Sequence, residues 1–237
     1  MQTLLRELSA VRRGGWTFFV DADLPTLERG VLQVAVFTGF APFVHRENGK
    51  LAGLEVELLK KFAAFEKWDL RFTVQPFEGL WDLPGDDEFD LAAAGLSKLA
   101  NRDAIWAETH TEVRRAALVT SGNATRLRDY SAFGRFAAVP DSAAHLHAIK
   151  HLPRKAKLID ISSIEEGTGM LHAGLVDAVG TGSVSAAHQV RTQPDLARVD
   201  LHRPTDRVEE IAFASRNNPL LLHKLNRFLL ELATPQI

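Results

Sequence analysis

The stretch Phe89–Asp103 reads FDLAAAGLSKLANRD. Phe89–Ala93 is a short apolar run of the kind that forms a small buried strand, and a polar segment with Ser97 and Arg102 follows Gly95. Read alone, these residues say little. Arg102 precedes Asp103, so the pair fits an ordinary surface ion pair worth under about 1 kcal/mol. Ser97 is one loop hydroxyl among many. The flanking sequence decides how this stretch is read.

Outward from it, strand and helix signals alternate. On the N-terminal side lie an apolar run at Val31–Phe37, a helical face at Gly53–Phe65 carrying Leu54, Leu58, Leu59, Phe62 and Phe65, and a strand at Leu70–Val74. On the C-terminal side, strands are expected at Ala116–Thr120, Phe136–Val139, Lys157–Ile161, Asp177–Val179 and Glu210–Ala214. Helices are expected at Ser142–Lys150, capped by Asp141 or Ser142, at Ser163–Ala173 and at Ser183–Thr192. Pro219 suits the first turn of a last helix carrying Leu222, Leu225, Phe228, Leu229 and Leu232. This alternation predicts an α/β fold with mainly parallel sheets.

Bulk properties narrow the function classes. The chain has 237 residues, of which 46% are hydrophobic, enough for one sizeable core or two small ones. A formal charge of −2 gives no electrostatic footprint for nucleic acid or an anionic membrane. With no cysteine, disulfides, thiolate metal sites and a cysteine nucleophile are excluded for this chain. No apolar run approaches the roughly 18–20 residues needed to cross a bilayer, so no membrane insertion is expected. Met1–Arg13 reads as a short amphipathic helix, and Trp16–Val20 (WTFFV) as a strand. The latter is too short for the apolar segment of about 7–15 residues that an export signal needs.

Specific residues in order carry the reading further. VAVFTGFAPF (Val34–Phe43), GKLAGLEVEL (Gly49–Leu58), PFEGL (Pro76–Leu80), the stretch quoted first, VDAVGTGSVSA (Val176–Ala186) and IAFASRNNPLLLHKLNRFLLEL (Ile211–Leu232) follow one another. In that order they resemble the bacterial extracellular solute-binding proteins of family 3, the polar-amino-acid binders of ABC importers. The resemblance spans about Val31 to Leu232. It implies a two-lobed, type II periplasmic-binding-protein architecture with two hinge strands. Lobe 1 would hold residues 31–120 plus 205–237, lobe 2 residues 121–204, and residues 1–30 would be an N-terminal extension. The implied function is a receptor that clamps a small anionic or zwitterionic ligand between the lobes. An ABC permease would be its partner and the periplasm its location. No cofactor and no nucleic acid partner are implied.

The same resemblance assigns a ligand pocket. Phe40 matches an aromatic that packs over the ligand; read alone it is as well suited to the core. Ser97 and Arg102 match a hydroxyl and a guanidinium that grip the ligand carboxylate, a task suited to arginine's planar fork of donors. The strand end at Ala94–Gly95 would add backbone donors. Asp141 and Ser142 match the start of a second-lobe helix that completes an anion site. Two positions depart from the pattern: Gly182 stands where amino-acid binders place an acid for the ammonium, and Phe37 stands at another polar position. A buried ammonium without an anionic partner costs several kcal/mol. The expected ligand is therefore a carboxylate or other anion with a more apolar body, with Glu78 as a possible replacement acid.

Other readings are weaker. A dehydratase-like enzyme on this fold would need a positioned acid or base, and Glu78, Glu108, His110 and Asp141 form no legible pairing. Thr181–Ser185 (TGSVS) lacks the second glycine of a nucleophile elbow. His147 and His151 have the spacing of a two-histidine metal site, but Pro153 ends their helix, no acid completes the set, and a solvated face is expected. An intracellular sensor of the same fold remains the main alternative to an exported receptor.

Overall fold

The computed structural model describes residues 24–204 and 206–233. The helix and strand expected within Met1–Val20 fall outside these residues. Strand β1 (Val31–Val36) is buried along nearly its whole length, as its apolar run requires at the centre of a parallel sheet. A hairpin of β2 (His45–Glu47) and β3 (Lys50–Ala52) follows. It turns on Asn48 and Gly49, both left-handed at φ 51 and 78, the conformation that makes Asn-Gly a favoured hairpin turn. Helix α1 (Leu54–Glu66) turns Val56, Leu59, Phe62 and Ala63 inward. Then come β4 (Asp69–Val74), β5 (Leu91–Ala93) and β6 (Ile105–Trp106).

Strand β7 (Thr111–Val113) leads into the second lobe. That lobe is built from β8 (Arg115–Thr120), β9 (Arg135–Ala138), α2 (Ala143–His151), β10 (Lys157–Asp160), α3 (Ile164–His172), β11 (Ala178–Gly182), α4 (Ser183–Thr192) and β12 (Leu196–Asp200). The chain returns through β13 (Glu209–Ile211) and ends in β14 (Ala214–Ser215) and α5 (Pro219–Ala233).

Each lobe has a five-stranded sheet, ordered β4-β1-β5-β14-β6 in the first and β10-β9-β11-β8-β12 in the second. β1 runs parallel to β4 and β5, and β9 to β10 and β11, whereas β8, β12 and β14 pair antiparallel. The two crossing strands pair with each other, Val113 opposite Glu209 and Thr111 opposite Ile211, and form the hinge. The sequence predicts one strand over Glu210–Ala214; the structure breaks it in two. Ile211 still pairs in the hinge, while Ala214 has joined the first sheet beside Ala92 and Trp106. One apolar run thus serves two sheets, with the change of partner at Ala212 and Phe213.

The lobes are closed on each other. A buried cluster joins Phe77, Leu80 and Leu96 of the first to Ile161, Ile164 and Val179 of the second. The amide of Ile164 donates across the seam to the carbonyl of Gly39 at 3.1 Å. The carboxyl ends of β5 and β11, and the start of α2, meet at this seam.

Candidate functional site

The first lobe contributes the loop after β5. Gly95 sits at φ 64, and a Cβ there would lie 2.6 Å from the Phe43 ring, so only glycine fits. Its amide, expected to face a ligand, instead donates to Glu55 Oε2 at 2.8 Å. Glu55 is fully buried, and its other oxygen lies 3.1 Å from His110 Nε2. The acid of the Leu-Glu-Val-Glu helix start therefore holds the loop in place.

Arg102 is not a surface residue. It is 5% exposed, and its guanidinium lies 4.1 Å from the Trp81 ring centroid and 5.6 Å from that of Phe77. Nη1 donates to the Ser97 carbonyl at 2.9 Å. Nη2 crosses the cleft to the Asp141 carbonyl at 2.8 Å, while Nε is buried without a partner. Burial lowers the guanidinium to about 10, with Glu209 and Asp141 acting in the opposite sense, so it is charged at neutral pH.

The second lobe brings the start of α2, where Asp141 is left-handed at φ 58 and the Ser142 hydroxyl accepts the His145 amide at 3.1 Å. Beside it stand Gly180, Thr181 and Gly182 at the end of β11, and Ser185 in the first turn of α4. Arg115, 7% exposed, sits where the hinge enters β8. Its Nε lies 2.5 Å from Glu209 Oε1 in an ion pair that is not aligned as a hydrogen bond. The Ser97 hydroxyl donates to the other oxygen of Glu209 at 2.9 Å. Glu209, on β13, thus ties one lobe to the other through the hinge.

These groups enclose a cavity of about 40 Å³ between the lobes. Of the residues expected at a ligand, Phe40, Gly95, Ser97, Arg102, Ser142 and Gly182 line it together. Asp141 reaches the site through its carbonyl. Phe37 lines a neighbouring space of about 450 Å³, bounded also by His45, Ser163 and Gln189. Its ring meets those of Phe40 and Phe77 at 5.2 and 5.3 Å, and together they form a wall between the two spaces. Sequence reasoning missed Phe43, Phe77, Arg115, Thr181, Ser185 and Glu209. Phe77 stands within the quoted stretch PFEGL, but nothing local marks Glu209, which is brought to Ser97 only by the hinge.

Glu78 and Glu108 are exposed and outside the cavity, and His110 is paired with Glu55. The histidines of α2 are not a solvated face. Tyr130 Oη lies 2.9 Å from His147 Nδ1, the His147 and His151 rings are 4.3 Å apart, and Asp206 is 3.7 Å from His147 Nε2. The helix turns them onto Tyr130, and burial lowers His147 to about 4. Among the described residues no group of three or more metal-ligating side chains converges, and no helix is long and apolar enough to cross a membrane.

The sequence model of the bacterial extracellular solute-binding proteins, family 3, matches residues 32–235. No curated protein sequence matches the chain. Among solved structures, the chain is similar to an amino acid ABC transporter substrate-binding protein, AbpA, from Streptococcus pneumoniae, bound to L-arginine. That match has a TM-score of 0.78 at 22% identity and covers 86% of this chain and 89% of that one. An ancestral amino acid-binding protein, AncCDT-1, a precursor of cyclohexadienyl dehydratase, gives 0.78 at 22% identity, covering 86% and 90%. An ancestral arginine-binding protein bound to glutamine gives 0.77 at 26% identity, covering 87% and 93%. These likenesses establish the type II periplasmic-binding-protein fold.

Proposed function

The chain belongs to the bacterial extracellular solute-binding proteins, family 3, and from that premise we propose that it is a receptor that clamps a small carboxylate between its lobes. The observation that carries this reading is Arg102, a buried, charged guanidinium at the seam whose Nη2 is held only by a main-chain carbonyl of the opposite lobe. A ligand carboxylate in place of that carbonyl would exchange a neutral acceptor for a charged one, adding ion pairing and offering the planar guanidinium two parallel hydrogen bonds in place of one. Phe40 would pack over the ligand, and Ser97, Ser142 and Gly182 would bound it. Gly95 would shape the floor, Asp141 would close the helix end, and Phe37 would back the aromatic wall.

A cavity of about 40 Å³ holds a few waters, not an organic acid. Binding therefore requires the lobes, the first built on β1 and β4–β6 and the second on β8–β12, to part about the paired hinge strands β7 and β13 and close again. On this reading the ligand is delivered to an ABC permease from the periplasm, a role that membership of the family supports. None of Glu78, Glu108, His110 and Asp141 lines the cavity, which favours binding over dehydratase-like turnover.

A thermal-shift screen of amino acids, oxo acids, aromatic acids and dicarboxylates tests the reading. A ligand at about 100 times its dissociation constant stabilises the fold by about 2.7 kcal/mol. Arg102→Ala should abolish the shift; a shift that survives would discard the carboxylate grip.

A further inference from the structure

The second guanidinium of the cavity is assigned no part by that reading. Arg115 is 7% exposed and lines the cavity beside Arg102. Glu209 meets it at Nε, and the described residues give its Nη atoms no hydrogen bond. Nη2 lies toward Gly182, 3.4 Å from where a Cβ on that glycine would stand. A buried guanidinium with open donors is a group made to meet an acceptor.

The charges around the cavity sharpen this. Its lining has two arginines and no aspartate or glutamate. Glu209 adjoins it, but one of its oxygens is held by Arg115 and the other by the Ser97 hydroxyl. Asp82 and Asp141 act on Arg102 without lining the space. Among the groups that line the cavity or pair directly with its lining, two guanidiniums and one carboxylate leave one positive charge, which a monoanion neutralises. A zwitterion leaves it in place and adds an ammonium that finds no open carboxylate and faces another cation.

We propose, resting on the carboxylate-clamp reading, that Arg115 selects small monocarboxylates with a neutral oxygen next to the carboxylate, the 2-oxo and 2-hydroxy acids, over the matching 2-amino acids. Arg102 takes the carboxylate, and Arg115 Nη donates to the neighbouring oxo or hydroxyl oxygen. Both guanidiniums line the same cavity, so the second acceptor is assigned to the atom next to the carboxylate, the 2-position. Selectivity then comes largely from repulsion of the wrong ligand.

The test is calorimetric titration of the full chain at neutral pH with matched pairs: pyruvate against L-alanine, and 2-oxoisovalerate and 2-hydroxyisovalerate against L-valine. The oxygenated acids should bind about tenfold or more tighter than the amino acids. Gly182→Asp, at a position with ordinary φ and room for a Cβ, brings the net charge to zero and should swing the preference at least about tenfold toward the amino acid. Arg115→Gln should move it the same way, with a melting curve confirming that each variant folds. Amino acids that bind the native chain as well as their oxo partners would overturn the assignment while leaving the clamp intact. So would a preference unchanged in Gly182→Asp. If no carboxylate in the panel binds, the clamp reading falls and this inference falls with it.

Discussion

Two buried arginines line the same cleft, and their partners differ in kind. Arg102 in the first lobe rests on neutral groups, two main-chain carbonyls and the face of Trp81. Arg115, where the hinge enters the second lobe, rests on a carboxylate. A cation with neutral partners keeps its full charge and is free to take an anion. A cation already paired with a carboxylate contributes directed donors and little net charge. The contrast separates a group suited to affinity from one suited to selectivity.

The largest way to break that contrast is to remove the carboxylate. Glu209→Ala leaves Arg115 buried and unpaired and should cost about 3–5 kcal/mol, read as a lower urea midpoint at unchanged m-value. Replacing Arg115 and Glu209 together with methionine should restore most of the loss. A single variant as stable as the native chain would mean the pair is not holding the hinge.

His147 tests the cost of burying a base in an accessible pH range: it is partly buried, its ring bonds the neutral Tyr130 hydroxyl, and Asp206 stands 3.7 Å away. Burial, then His151, lowers it to about 4. A histidine lowered in the fold favours its neutral form, so its contribution is complete above the unfolded value near 6.5 and is lost as pH falls toward 4. The native chain should lose on the order of 2 kcal/mol over that window, and His147→Phe should lose correspondingly less. Identical pH profiles for the two would remove this account.

Two smaller changes sharpen the picture. Trp81→Ala removes the ring under Arg102 and should weaken ligand binding by about 1 kcal/mol, roughly fivefold, measured by calorimetry. Ser142→Ala removes the cap of α2 and should cost about 1 kcal/mol or less of stability, measured in urea. A Ser142→Ala loss in ligand affinity larger than the loss in stability would give the hydroxyl a direct role at the ligand.

Much of this arrangement could be read along the chain where the signal is local. The helix at Ser183–Thr192 and the one opened by Pro219 stand where periodicity and turn chemistry put them. Short polar strands escaped: β2 and β3 are three residues each and largely exposed, so neither alternation nor apolar content marks them, although Asn48–Gly49 advertises their turn. β12 was missed because its LARVD pattern resembles a loop flanked by charge. Family order pointed to Arg102 and Ser97. Arg115 and Glu209 were not legible, because an arginine after β7 and a glutamate pair at 209–210 become a site only when the hinge brings them together.

If Arg102 grips the ligand as proposed, its bond to the Asp141 carbonyl makes the protein's own main chain a competitor for that ligand. Molecules closed in this way are withdrawn from the binding-competent pool. The measured dissociation constant is then the intrinsic one divided by the fraction that is open, so a pool one-tenth open binds about tenfold more weakly than its contacts allow. Affinity is then set partly at a distance, since a substitution that loosens the ligand-free closed form, while leaving closure over the ligand intact, tightens binding without touching a ligand atom.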